Sequence, residues 1–501
     1  MSAATDAGSA TMTAVPYVDV HETHTGVVVL AGDRAFKAKK PLLTDFLDFR
    51  TPEQRERACR REVELNSRLS PDSYLGVAHF TDPTGGPAEP IVVMRRYRDD
   101  DRLASLVTRD RDGSGESVRG VLDTIAAVLA RFHRRAERSP MINAQGTAGA
   151  IDRRWRDNLS ELNHYADTMD VSAETVSRIQ RLAAEFISGR EPLFAHRIEE
   201  GLIVDGHGDL LADDIFCVQG EPALLDCLEF DDELRYVDCV DDAAFLAMDL
   251  EFLGRKDLGD HFLKRYVVHA ADSAPPPLQH FYIAYRAVVR AKVDCLRASQ
   301  GKSQATEDAA RHLAIAVDHL EDGRVRLALV GGNPGTGKST LARALAENTG
   351  AQVISTDDVR RELRDVGVIT GGAGVLDQGL YSPDNVAMVY EVALRQASQL
   401  LSNGRSVILD GTWRDPRMRA HAHRLASETH SAVVELMCSA TVDTAAGRIA
   451  TRRPGNSEVT PEIAAAMAAR DAGWYTAHQI DTSQALENLV REAHDVWLRA
   501  V

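Results

Sequence analysis

The chain of 501 residues is some three times the length of a typical domain of about 150, which predicts two or three domains and excludes a lone small binding module. Hydrophobic residues make up 44% and charged residues 27%, enough apolar material for sizeable cores, so global disorder is excluded as well. The formal charge of −17 opposes non-specific attraction to nucleic acid or anionic membrane; residues 323–501 carry 19 Arg and Lys against 20 Asp and Glu, so almost all of the excess falls on residues 1–322.

Residues 1–16 are small and polar without periodicity and are expected to form a disordered tail. They show no basic stretch followed by an apolar core, and no run of about 18 apolar residues occurs later, so the expectation is a soluble, cytoplasmic protein with no membrane partner. Gly26–Leu30, the turn Gly32-Asp33 and Arg34–Lys39 predict a hairpin stopped by Pro41. Thr51-Pro52-Glu53, followed by Ala58, Val63, Leu65 and Leu69 before Pro71, predicts a helix with proline in its first turn. Ile91–Met94 predicts a short strand. Helical periodicity covers about 117–135, 152–187 and 241–319, with strand-like Leu202–Val204, Ile215–Val218 and Ala223–Leu225 between, so residues 17–322 are expected to form one domain with a small mixed lobe and a larger helical lobe. The helical stretch Leu278 to His319 gives way at Gly323 to the strand Arg324–Val330, and the domain boundary is placed there. Beyond it, Gln352–Ser355, Ser406–Leu409 and Ala432–Leu436 alternate with helical segments, the pattern of a parallel sheet with helices on both faces in a second domain, 323–501. Six cysteines (Cys59, Cys217, Cys227, Cys239, Cys295, Cys438) without a CxxC pair are expected to be reduced thiols with no assigned chemistry.

The strongest chemical signal is Gly332-Asn333-Pro334-Gly335-Thr336-Gly337-Lys338-Ser339, which fits GxxxxGK[ST] between a predicted strand and a helix opened by Thr340. Its glycines let the backbone N–H groups curl around nucleotide phosphates, Lys338 reaches the β and γ oxygens, and Ser339 holds magnesium; ATP and Mg2+ are the expected cofactors. Lys338 is also the only lysine after residue 323 in a segment that otherwise uses arginine. At the end of the second strand, Asp357 is a candidate base for an acceptor hydroxyl and Arg360 a candidate phosphate partner; the alternative reading makes Asp357 the N-cap of the next helix. Asp410 ends a strand as a candidate second magnesium carboxylate, or simply as a strand-end acid. Arg448, Arg452 and Arg453 precede Pro454-Gly455-Asn456 and read either as a lid closing on the transferring phosphoryl group and its acceptor, or as partners of a helix C-terminus.

On these residues, about 324–500 resemble the P-loop small-molecule kinases of the zeta-toxin-like and polynucleotide-kinase-like ATPase group. The resemblance implies kinase chemistry on a sugar, a nucleotide sugar or a nucleic-acid end; the charge balance disfavours the last of these.

Earlier in the chain, His207-Gly208-Asp209 is followed five residues later by Asp214 and seventeen later by Asp226. That spacing matches a catalytic base, a magnesium ligand and a second metal carboxylate after the next hairpin. Lys37 lies on a predicted strand and Glu62 on the following helix, the pair expected to position α and β phosphates, with Lys39 on the same strand face as a substitute for Lys37. Residues 20–320 thereby resemble the aminoglycoside phosphotransferase-like, protein-kinase-like two-lobed fold. Two departures stand out: Asp214 replaces the usual Asn, and His24-Thr25-Gly26 stands where a glycine-rich loop belongs. Met94 to Tyr97 are expected at an interlobe hinge that meets adenine, Glu229, Asp231 and Asp232 in a pocket for a cationic sugar, and Asp238, Asp241 and Asp242 at the cap of the next helix.

The whole chain looks like a bacterial fusion of the two kinds of domain. The resemblance implies an ATP-dependent phosphotransferase, bifunctional, acting on a hydroxyl of a small metabolite or sugar. The alternative is a regulatory P-loop ATPase or kinase whose first domain only binds a ligand or neutralises the second.

Overall fold

A computed structural model describes residues 17–22, 26–43, 48–81, 83–86, 88–110, 116–166, 172–372, 377–451, 464, 467 and 473–500. The expected tail, residues 1–16, and His24 and Thr25 lie outside the described residues. The chain forms two compact units, one running to Arg138 and taking in Val204–Ala271, the other made of Ser139–Ile203 and the chain from Asp272 onward. Among the described residues no helix is long and apolar enough to cross a membrane.

In the first unit, β1 (Val18–Glu22), β2 (Gly26–Ala31), β3 (Arg34–Lys39), β4 (Tyr74–Phe80) and β5 (Glu89–Arg95) make an antiparallel sheet in the order β1-β2-β3-β5-β4. The expected hairpin is β2–β3, with Val28 opposite Lys37. Helix α1 (Pro52–Ser67) starts at a capping box, Thr51 accepting from the Gln54 N–H and donating its own N–H to the Gln54 side chain, with Pro52 at the first helical position. Its buried residues Arg55, Cys59, Glu62 and Asn66 fall at helical spacing on one face, which packs on β4 and β5. After α2 (Leu103–Arg109) and α3 (Glu116–Arg135), the chain passes into the second unit through α4 (Pro140–Ala144), α5 (Ala148–Ala166), α6 (Ala173–Gly189) and α7 (Glu191–Glu199). It re-enters the first unit with β6 (Ile203–Asp205), the hairpin β7 (Ile215–Val218) and β8 (Glu221–Leu224), β9 (Tyr236–Asp238), α8 (Cys239–Phe252) and α9 (Lys256–Ala270). Helix α9 packs on both α3 and α8.

The second unit continues with α10 (Pro276–Ser299) and α11 (Gln304–Asp322), so the single expected helical stretch is two helices, separated at Gly301, whose φ of 92° is the left-handed region that glycine tolerates. Then follow β10 (Arg326–Gly331), α12 (Lys338–Thr349), β11 (Gln352–Ser355), α13 (Thr356–Asp365), α14 (Pro383–Ser402), β12 (Val407–Asp410), α15 (Pro416–Glu428), β13 (Ala432–Ser439), α16 (Val442–Ala450), β14 (His478–Asp481) and α17 (Leu486–Arg499). The five strands are parallel, in the order β11-β12-β10-β13-β14. Strands β10 and β12 are buried along their whole length, as parallel strands covered on both faces must be. The boundary expected at Gly323 marks the change from helices to the parallel sheet, yet the compact units divide elsewhere. The reason is close packing: a Cβ on Gly189 at the end of α6 would lie 2.4 Å from the Thr429 carbonyl after α15, and one on Gly404 would lie 3.0 Å from Leu193 on α7. Helices α6 and α7 are therefore fitted to the parallel-sheet unit at backbone distance.

Ile408 is fully buried in the core that β10, β12 and β13 share with α12 and α17. Ile408→Ala is expected to destabilise this unit by about 2–5 kcal/mol, read as a lower urea midpoint.

Candidate functional site

The side chains that the sequence motifs single out gather, among the described residues, into one group in each unit. In the first, the alternation of β3 puts Lys37 and Lys39 on one face, toward the buried face of α1. Lys37 Nζ lies 2.9 Å from Glu62 Oε1 and 2.7 Å from Asp226 Oδ1; Lys39 Nζ lies 2.8 Å from Glu62 Oε2 and 2.6 Å from Glu229 Oε1. The two lysines therefore share one carboxylate, which is fully buried. Burial by itself raises the Glu62 carboxyl, but Lys37 and Lys39 override it and hold it below its ordinary value. Burial likewise works against the Lys37 ammonium, and Asp226, Glu62 and Glu229 outweigh it, raising Lys37 well above its ordinary value.

Helix α1 also fixes the segment that carries Asp226. Asn66 Oδ1 accepts from the Cys227 N–H at 2.8 Å, and the Tyr74 hydroxyl accepts from the Asp226 N–H at 3.1 Å. Asp226 itself sits at φ 63°, a left-handed conformation that non-glycine residues rarely adopt. Asp214 faces the opposite electrostatic situation to Asp226: burial, then the neighbouring charges of Asp226, Asp209 and Asp213, push its carboxyl well above the ordinary range, while Lys37 holds Asp226 below it. Two carboxylates crowded this way fit a divalent cation, which relieves their repulsion.

The segment carrying Asp209 is anchored from α8. Asp242 accepts from the His207 N–H at 2.7 Å and the Gly208 N–H at 2.8 Å, and from His133 Nε2 at 2.9 Å; His133 Nδ1 in turn meets the Tyr266 hydroxyl at 2.6 Å. Asp238 caps α8 as expected, accepting from the Val240 N–H, but Asp242 does not cap: it is the anchor of the 207–209 turn. Burial raises the Asp242 carboxyl, and the bonds from His133 and from the His207 backbone override it and hold it well below the carboxylate range. His207 donates from Nε2 to the Leu225 carbonyl at 3.1 Å and accepts the Asp209 N–H on Nδ1 at 3.3 Å, which sets a single neutral tautomer; burial lowers its pKa to match. Asp249 accepts the Ala212 N–H at 2.8 Å, securing the other end of the segment.

Beside these carboxylates lies a cleft of about 290 Å³ lined by Val28, Leu30, Ala35, Met94, Phe216 and Leu225, with Lys37, Asp214 and Asp226 at one side. Tyr97 stacks on Phe216 with ring centroids 5.1 Å apart, so the expected hinge residues Met94 and Tyr97 both border it. The cleft offers apolar surface next to a lysine and two carboxylates. Among the expected acidic-pocket residues, Glu229 is engaged by Lys39, and Asp232 by Arg61 and Arg235.

In the second unit the phosphate loop joins β10 to α12 at the central strand of the sheet, where the order of strands switches direction. Gly332, Gly335 and Gly337 have φ of 139°, 79° and 86°, and a Cβ on Gly335 would lie 2.5 Å from the Ala445 carbonyl, so the motif's glycines are required by backbone shape. Lys338 and Ser339 open α12, and Thr340 is exposed on its first turn. Asp410 closes β12 beside them at 4% exposure, and its Oδ1 is buried with no hydrogen-bond partner. Burial raises its carboxyl, with Lys338 and the Ser339 hydroxyl pulling the other way. A buried carboxylate oxygen without a donor, next to a serine hydroxyl, fits Mg2+.

Ser355, not Asp357, is the N-cap of α13: its hydroxyl accepts from the Asp357 N–H. That removes the capping alternative for Asp357, whose carboxylate instead receives Arg360 Nη1 at 2.5 Å. The Arg360 guanidinium lies over the Tyr381 ring, 4.8 Å from its centroid. Arg448, expected on substrate, donates to Thr482 Oγ1 at 3.0 Å and to the Thr482 carbonyl at 2.8 Å, and reaches the Gly335 carbonyl at 3.5 Å, which commits it to the loop's own frame. Arg452 and Arg453 lie outside the described residues. Two residues that sequence reasoning missed complete the frame. Thr482 Oγ1 donates to the Thr336 carbonyl at 2.8 Å, and Arg414 donates to Asn333 Oδ1 at 2.9 Å. Arg414 follows Asp410 closely enough to have been noticed; nothing local to Thr482 signals its role. Cys227 and Cys438 sit near the two sites, and burial pushes both thiols up to about 12.

Comparison with known proteins places this geometry among relatives. The AAA domain family matches residues 327–472. The uncharacterized protein Rv2004c of Mycobacterium tuberculosis is 67% identical over 486 residues, covering 97% of this chain and 96% of that protein, and an uncharacterized protein of Mycobacterium bovis matches to the same extent. Among solved structures, a choline/ethanolamine kinase family protein from Mesorhizobium loti is 14% identical with a TM-score of 0.37, covering 62% of this chain and 94% of that one. A gluconokinase from Sinorhizobium meliloti is 18% identical with a TM-score of 0.27, covering 35% and 93%.

Asp242→Ala strands two backbone N–H groups and His133, and is expected to cost about 3–5 kcal/mol, measured by urea unfolding at pH 7. Because the native Asp242 carboxyl is held below its unfolded value, that advantage is complete above the carboxylate range and shrinks as pH falls through it, so wild type and variant should converge in acid.

Proposed function

The chain belongs to the family of these mycobacterial proteins and carries an AAA domain, and we propose that it is an ATP-dependent phosphotransferase acting on a hydroxyl of a small metabolite or sugar. The observation that carries this reading is the phosphate loop with Lys338 and Ser339 at the start of α12 and the orphaned buried Oδ1 of Asp410 beside them. In this reading the loop N–H groups and Lys338 hold the β and γ phosphates of ATP. Ser339 and Asp410 hold Mg2+, which when bound shields the charge shared by the β and γ oxygens.

Asp357 takes the proton of the acceptor hydroxyl as its oxygen bonds to the γ phosphorus. The bond from that phosphorus to the β–γ bridging oxygen breaks, and its electron pair leaves with ADP. Arg360, bonded to Asp357, aims that carboxylate. Arg452 is assigned to the closing lid, while Arg448 acts through the loop it braces.

The first unit is proposed as a second phosphotransferase site, with Asp209 as base, Lys37 and Glu62 positioning phosphates, and Asp214 and Asp226 holding the metal. One observation favours the alternative that this unit only binds a ligand or regulates: Asp226 is taken up by Lys37 while Asp214 is pushed toward its neutral form. In either case the molecule this unit takes is small rather than nucleic acid, which the negative charge concentrated in residues 1–322 disfavours.

Transfer from γ-labelled ATP into a mixture of small hydroxylated metabolites tests both sites. Lys338→Ala is expected to lower one product by about two to three orders of magnitude, and Asp209→Ala to remove a different one. Asp209→Ala indistinguishable from wild type would assign the first unit to binding or regulation, and full activity in Lys338→Ala would refute the loop's role. Asp410→Asn is expected to raise the Mg2+ concentration needed for half-maximal rate. If Asp214 ligates the metal, Mg2+-dependent thermal stabilisation of Lys338→Ala should strengthen as pH rises above the ordinary carboxylate range, because the raised Asp214 must first lose its proton.

A further inference from the structure

At the edge of the parallel sheet opposite the phosphate loop, a cleft of about 400 Å³ is lined by Arg181, Glu185 and Arg190 from the α6 region, Arg324 just before β10, and His430 and Ser431 just before β13. Val325 and Ala432 mark the entering ends of their strands, whereas Gly332 follows the leaving end of β10, so a six-residue strand, about 20 Å at 3.3 Å per residue, separates the cleft from the loop.

Its charges do not balance. Three arginines meet one carboxylate, and that one, Glu185, is already engaged by Arg181 at 2.8 Å. Arg190 is 1% exposed and donates only to the carbonyls of Gly189, Thr429 and His430, with its Nε buried and unpartnered. The Arg324 guanidinium makes no hydrogen bond or ion pair among the described residues, and its Nε too is buried and unpartnered. Burial depresses both, Arg190 down to about 9, and on Arg324 it outweighs the opposing pull of Glu185 and Glu321. Desolvated guanidinium groups are costly unless something negative meets them, and Arg forks fit oxyanions with two parallel N–H bonds.

We propose that this cleft binds a small phosphate-bearing anion, with Arg324 as its principal ligand, Arg190 supplying buried positive charge at the inner wall, and Ser431 and Arg181 at the rim. Its volume exceeds that of bare phosphate, so the natural ligand is a phosphate monoester of a small metabolite. Lying at the far edge of the sheet, it acts as an effector site rather than as the site of transfer, and it does not depend on which reaction the loop catalyses.

Phosphate can also enter the nucleotide loop, so the test uses full-length Lys338→Ala as parent, titrated with inorganic phosphate and separately with glycerol phosphate in a chloride buffer, with acetate at matched ionic strength as control. Both phosphates are expected to raise the parent's Tm and to give a calorimetric isotherm, the monoester binding more tightly. Adding Arg324→Gln should weaken binding at least tenfold, while Arg324→Lys retains part of it. Without phosphate, Arg324→Gln should melt at or above the parent, since it removes a half-buried charge that no ion pair engages among the described residues. The proposal fails if phosphate shifts the parent no more than acetate does, or if Arg324→Gln binds like its parent. It also fails if Arg324→Gln melts lower in chloride alone, which would make Arg324 a structural residue. If inorganic phosphate binds as tightly as the monoester, the site is a phosphate site and the monoester assignment is wrong.

Discussion

A carboxylate cut off from water must be surrounded by positive charge, and in the first unit that carboxylate is Glu62. Its two oxygens are divided between Lys37 and Lys39, so one helix residue fixes two strand residues at once. Lys37 in turn holds Asp226, and Lys39 holds Glu229. The sheet, α1 and the segment after β8 are thus joined through a chain of alternating charges, in which removal of Glu62 costs each lysine one of its two partners.

The second unit solves a different problem. Its phosphate loop must present N–H groups outward, so its carbonyls have to be satisfied from behind. Thr482 takes the Thr336 carbonyl and Arg448 reaches that of Gly335, while Arg414 orients the Asn333 side chain. Directly before the loop, Gly331 passes the Trp474 ring so closely that a Cβ would lie 2.2 Å from it. The glycines of the motif account for the path of the loop; residues far along the chain account for its stiffness.

What could be read from sequence follows the range over which each feature is encoded. The hairpin β2–β3, α1 with its proline start, and the strands around the phosphate loop depend on neighbours within a few residues and were legible. The pairing of Lys37 with Glu62 was legible from their places on a strand and the following helix, whereas the ion pair of Lys37 with Asp226, 189 residues away, was not. Strand β4 was not: it is largely exposed, and Gly76 at φ 132° interrupts its pattern. Nor was β14, four mostly polar residues that exist as a strand only through pairing with β13. Asp242 looked like one more acid at a helix start, since its partners His133 and His207 lie 109 and 35 residues away. The packing of α6 on the parallel-sheet unit was not legible for a similar reason: the close approach of Gly189 to Thr429 leaves no mark on local composition.

The brace from Thr482 to Thr336 spans 146 residues. During synthesis the motif that would hold nucleotide leaves the ribosome long before the strand that completes it. Until β14 has docked beside β13, the Thr336 carbonyl lacks its hydroxyl partner and Arg448 lacks the residue that holds it against the loop. The frame of the phosphate loop therefore cannot be complete before residue 482 has been made, and a truncated product ending before it would carry the whole motif without that brace.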